Sequence, residues 1–151
     1  MTASRNLTAS SMVKALTTSF FLLLIFGANR AAAEPVVVVT QGNFPISTLS
    51  RQDISDLFLG KRKISFSGIN LVPIDISDEG LRETFYKQIA DMSAIRVNAY
   101  WARVVFSAQG RPPRILTLPE AQALITNQQG IITYMPENNA SGFKIILRLS
   151  Q

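Results

Sequence analysis

The sequence has 151 residues, 47% of them hydrophobic, with fifteen Lys and Arg against ten Asp and Glu, and neither cysteine nor histidine. That is enough chain for one domain with a buried core. The missing Cys excludes disulfides, a thiolate nucleophile, zinc–thiolate sites and lipid attachment of the bacterial lipoprotein type. The missing His removes the commonest general base and metal ligand.

Residues 1–33 differ in chemistry from the rest. They hold Arg5, Lys14 and Arg30 and no acidic residue, and an apolar stretch between Ala15 and Ala28 is densest at Phe20–Phe26. Ala31-Ala32-Ala33 closes the segment. A basic start, a short apolar middle and an Ala-x-Ala end are the parts of a secretory signal, with cleavage expected after Ala33 and export to the periplasm or beyond. A membrane anchor is the alternative. It needs about 20 mostly apolar residues, whereas Gly27 and Asn29 interrupt this run. Met1 and Met12 are both candidate starts.

Removing the leader removes three positive charges, so residues 34–151 carry twelve basic against ten acidic residues. The net of about +2, with no basic stripe interleaved with aromatics, argues against nucleic acid as a partner. The exported domain is expected to be soluble rather than membrane-embedded.

Val36-Val37-Val38-Val39-Thr40 reads as a strand buried on both faces. Ser50 is placed to cap a helix, with Asp53 in its first turn, an apolar face at Ile54, Leu57 and Phe58, and Gly60 as the stop. A basic hairpin follows, with one strand to Phe66, turn material at Ser67–Asn70 and a second strand over Leu71–Asp75. Asp75–Gly80 reads as a polar loop opening a helix whose face is Leu81, Phe85 and Ile89. Ser93 caps another helix, on which Tyr100, Trp101 and Phe106 fall at core spacing. Gln109–Pro113 is a loop. Pro119 starts one more helix that Gly130 ends, with Ala121, Leu124 and Ile125 facing inward. Strands over Ile131–Tyr134 and Phe143–Leu149 complete the chain. Alternating strands and helices imply an α/β layered domain over residues 34–151.

Several of these segments carry a family resemblance. Leu49-Ser50, Ile54, Leu57-Phe58-Leu59-Gly60-Lys61 and Val72-Pro73-Ile74-Asp75 resemble the periplasmic substrate-binding proteins of phosphate ABC transporters. Phe85-Tyr86, Tyr100-Trp101, Phe106, Gly110-x-Pro112-Pro113 and Gly130-x-Ile132-x-Tyr134-Met135-Pro136 are similar to the short, single-domain relatives of that family. The resemblance implies a type 2 periplasmic-binding-protein-like domain, a mixed sheet flanked by helices. It also implies non-catalytic binding of phosphate or another small oxyanion for ABC-type uptake, with a membrane permease as partner. A periplasmic accessory or sensory module that binds a protein in signalling is the alternative.

The family's cradle after the second strand is a Ser-Asp-Gly-Ser-Gly-Thr type loop. Here Ser77-Asp78 match and Glu79-Gly80-Leu81-Arg82 do not, Thr133 stands where the family has Gly, and Ala108 replaces another loop Gly. The candidate ligand site is therefore Ser77, Asp78, Gly80 and Arg82 at a helix N-terminus. Thr40 and Asn43 join it, because strand ends of open α/β sheets line a common crevice. An ordinary cap, with Asp78 and Glu79 balancing the helix dipole, is the competing account of that loop. Lys61-Arg62-Lys63 either meets an acidic partner or an anionic surface, or is a solvated edge that discourages strand pairing. Asp75, Asp78 and Glu79 match no calcium loop and have no companion base or nucleophile, so no metal, cofactor or catalytic residue is assigned.

Overall fold

In the computed structural model, residues 34–149 are described, and the leader with its expected cleavage site lies outside them. The first strand, β1 (Val36–Thr40), is buried along its whole length. Helix α1 (Arg51–Phe58) starts at a capping box, in which Ser50 accepts from the Asp53 amide and Asp53 accepts from the Ser50 amide. Next come β2 (Ser65–Phe66), β3 (Ile69–Asn70), β4 (Val72–Ile76), α2 (Glu79–Ala90) and α3 (Ala94–Phe106). The chain ends with β5 (Arg114–Leu116), α4 (Leu118–Asn127), β6 (Ile131–Pro136), a 3-10 turn at Glu137–Asn139, and β7 (Lys144–Leu149).

Five strands form one mixed sheet in the order β5-β4-β6-β1-β7. β4 runs parallel to both β5 and β6, while β1 runs antiparallel to β6 and β7. The unbroken burial of β1 and of Ile131–Met135 in β6 means that both sheet faces are covered at the centre. α2 packs on β4, β1 and β6, α4 packs on β6 and β4, and α1 and α3 both lean on α2. The expected α/β architecture of a mixed sheet flanked by helices is what the chain adopts.

Several local expectations change. The hairpin is a two-residue turn, β2–Ser67-Gly68–β3, and the following strand joins the main sheet. Ser67 and Gly68 both have positive φ, 51° and 79°, which matches the primed turns that suit strand twist. Asp75 and Ile76 are the buried end of β4, not loop, because Ser77 bonds back to Leu116 and carries the ladder forward. β5 was not apparent, since three residues after Pro112-Pro113 carry too little pattern.

Phe106 is also not core. It is 95% exposed, because the buried stripe of α3 runs through Val97 and Trp101 and leaves Phe106 on the opposite side. α3 ends in a Schellman turn, in which Gln109 donates to the Val104 carbonyl and Ala108 to that of Val105. Ala108 has φ 55° there, a conformation that glycine suits better.

Candidate ligand site

β4 delivers Asp75 to the interior, 2% exposed, close to the strand end after which α2 begins. The chain then turns through Ser77 to Asp78, whose carboxylate accepts the Leu81 amide at 2.8 Å and caps α2. Arg82 lies one turn into α2, and its Nε donates to Asp75 Oδ2 at 2.8 Å. Tyr86, four residues on, donates its hydroxyl to the same oxygen at 3.2 Å. From β6, the Tyr134 hydroxyl donates to Asp75 Oδ1, which also accepts the Ile76 amide at 3.0 Å. The Arg82 guanidinium lies 5.3 Å from the centre of the Tyr86 ring.

The electrostatics follow from this packing. Burial, reinforced by the Asp75 carboxylate, pushes the Tyr86 and Tyr134 phenols well above their ordinary range. For Arg82, burial works to lower the pKa, but the hydrogen bond and charge of Asp75 outweigh it and raise the group above its usual value. Asp75 is thus a carboxylate filled with donors, and Arg82 a cation held in one orientation. Aromatic packing fixes the rest, with Phe85 stacked on Tyr134 at 3.7 Å between centroids and Phe58 edge-on to Phe85 at 4.8 Å.

The six predicted site residues do not converge. Ser77, Asp78, Gly80 and Arg82 surround the start of α2. Thr40 is level with Ile132, which is level with Pro73 at the start of β4, because β1 runs against β4. Ser77 follows Pro73 by four positions, so roughly 13 Å separates Thr40's level from that of Ser77. Asn43 follows Thr40 in the turn that the Phe44 amide closes on the Gln41 carbonyl at 3.1 Å. The strand direction thus sets Thr40 at a different level of the sheet from the residues around α2. Thr40 is buried, and its hydroxyl donates to the Ile131 carbonyl at 2.7 Å; Asn43 is exposed.

At α2 the Ser77 hydroxyl is exposed and makes no hydrogen bond among the described residues, while its amide donates to Leu116 at 2.9 Å. The Glu79 and Gly80 amides belong to the first turn, which no intrahelical carbonyl can reach. A Cβ on Gly80 would meet nothing nearer than Asp78 Oδ1 at 3.5 Å, so this position is not reserved for glycine. Asp75, Tyr86 and Tyr134 are the partners that sequence reasoning missed. A signal was present: an aspartate inside the apolar run Val72–Ile76 must find donors or leave the strand. Among the described residues no group of three or more acidic side chains could hold a metal, and no helix is long and apolar enough to cross a membrane.

Comparison with solved structures places the fold. One similar structure is a protein named as a phosphate ABC transporter substrate-binding protein, with bound phosphate, from Clostridium perfringens. It aligns with a TM-score of 0.58 at 15% identity, over 75% of this chain and 44% of that one. Another is an ABC-type phosphate transport receptor from Vibrio cholerae, with a TM-score of 0.56 at 10% identity, over 75% of this chain and 45% of that one. The likeness is one of fold. This chain spans less than half the length of either neighbour. No protein-family model matches it, and no curated protein does.

Proposed function

We propose that residues 34–151 form an exported, non-catalytic solute-binding domain whose ligand is phosphate or another small oxyanion, serving ABC-type uptake. The observation that carries this reading is the fixed Arg82. Its side chain is 11% exposed and held by Asp75 beside the first turn of α2, where the Ser77 hydroxyl and the Glu79 and Gly80 amides are available. A permanent cation next to free helical amides is a natural seat for an oxyanion. The Asp78 carboxylate opposes it electrostatically, so binding is expected to be weak.

Calorimetric titration with phosphate and sulfate tests the reading, with melting as a second readout. At a ligand concentration a hundred times Kd, the stabilisation is about 2.7 kcal/mol. Ser77→Ala should weaken the response and Asp78→Asn should strengthen it. No heat and no melting shift at millimolar oxyanion would remove oxyanion binding from the account. Export is checked separately, by N-terminal sequencing of the secreted chain, which should begin at Glu34.

A second reading, an accessory or sensory module with a protein partner, is favoured by one face of α3. Ile95 and Phe106 are 80% and 95% exposed, and the exposed Ala99 and Ala102 lie between them at helical spacing. Cross-linking to a specific permease or sensor that is lost in an Ile95→Asp, Phe106→Asp variant would support it.

A further inference from the structure

A cleft of about 890 Å³ opens beside the start of β4, away from the Asp75 network. Its floor includes Tyr100, Trp101 and Val104 of α3. The Tyr100 hydroxyl donates to the Leu59 carbonyl at 2.7 Å and ties that floor to the end of α1. Gly60 approaches the floor so closely that a Cβ there would lie 2.8 Å from Trp101 Cη2. Lys61, Arg62 and Lys63, which follow α1, line the cleft, as do Arg111 of the loop after α3 and Arg114 of β5.

No carboxylate is among the described residues that line it. Arg62 is paired with Asp53 at 2.7 Å, but the other four cations make no ion pair among the described residues. Glu120, near enough to feel Arg114, is held chiefly by its bonds to Thr117 and lies outside the lining. Gathering like charges at one cleft opposes folding, and it focuses positive potential over an aromatic surface. The Trp101 indole N–H is also buried without an acceptor among the described residues.

We infer that this cleft binds a low-molecular-weight organic anion, an apolar or aromatic body carrying a carboxylate, sulfonate or phosphate. The body packs on Tyr100, Trp101 and Val104, and the anionic group meets the unpaired Lys and Arg side chains. Size favours a small molecule over a macromolecule, since such sites run from about 300 to 1,000 Å³ with few polar groups fixing orientation. The inference does not depend on the oxyanion reading, because the cleft uses neither Ser77 nor Arg82.

Trp101 is the sole tryptophan of the sequence, so its emission reports on the cleft directly. The test titrates the protein with 4-phenylbutyrate, with its neutral counterpart 4-phenylbutanol, and with inorganic phosphate, following fluorescence excited at 295 nm. The carboxylate should shift the emission and bind about tenfold more tightly than the alcohol, the scale of one charge-assisted contact. Lys63→Glu and Arg114→Glu, both at exposed positions, should each abolish that preference while the urea midpoint holds. Equal binding of acid and alcohol, or an unchanged preference in both variants, overturns the inference. So does emission that neither organic probe moves, or that phosphate alone moves as far as phenylbutyrate. Loss of phosphate binding in Ser77→Ala bears on the α2 site instead and leaves this result unaffected.

Discussion

Replacing Asp75 by Asn keeps the shape of the side chain and removes its charge. Asp75 has a side chain 3% exposed and accepts from Arg82, Tyr86, Tyr134 and the Ile76 amide. An amide offers one acceptor oxygen where the carboxylate offered two, and its NH2 must face a donor. Arg82 is then left nearly buried without a counter-charge. Breaking one partner of a buried pair costs about 3–5 kcal/mol, a large share of the roughly 5–15 kcal/mol that stabilises a typical domain. At roughly 4 °C per kcal/mol for a domain near this size, the melting temperature should fall by about 12–20 °C.

Urea denaturation at pH 7 measures the loss, with an unchanged m-value showing that the unfolded state is the same. Asp75→Asn combined with Arg82→Met should recover much of that loss, since the unpaired charge is gone and the aliphatic stem remains. A control at the exposed pair Arg148–Glu137, by Arg148→Ala, should cost less than about 1 kcal/mol. A loss below about 1 kcal/mol for Asp75→Asn, or no recovery in the double variant, would refute the claim that this network anchors α2 to β4.

Three further outcomes follow from the same geometry. Tyr86 and Tyr134 have raised pKa values, so their protonated forms favour the folded state. That stability is whole below the unfolded tyrosine pKa of about 10 and is lost as pH rises further, and ultraviolet titration should show two of the three phenols ionising only as the fold is lost. Ala108→Gly should stabilise by about 1 kcal/mol in urea, because the left-handed turn after α3 carries a Cβ penalty. Gly130→Ala should cost at least about 2 kcal/mol and could prevent folding, since φ is 81° and the new Cβ would meet the Asn70 carbonyl oxygen at 2.6 Å.

Local signals in the sequence were strong wherever one segment sufficed to define them. Ser50 and Asp53 specify a helix start because both partners of the capping box are three residues apart, and the Val36–Thr40 run specifies a central strand because every position needs burial. Those same local rules misplaced the hairpin and hid β5, whose pairing partners are distant in sequence. They also put Phe106 in the core. Helical spacing defines two apolar stripes on α3, and only packing against α2 selects the one through Val97 and Trp101.

The candidate site divides in the same way. The residues around α2 were legible, since a cap and its first turn are contiguous in the chain. That Asp75 gathers Arg82 and the hydroxyls of Tyr86 and Tyr134, and that Thr40 lies toward the other end of the sheet, depended on strand direction. Antiparallel and parallel pairings bury the same side chains equally well, so composition and periodicity cannot choose between them. The register of β1, β4 and β6 does, and with it the tertiary structure sets which polar groups meet.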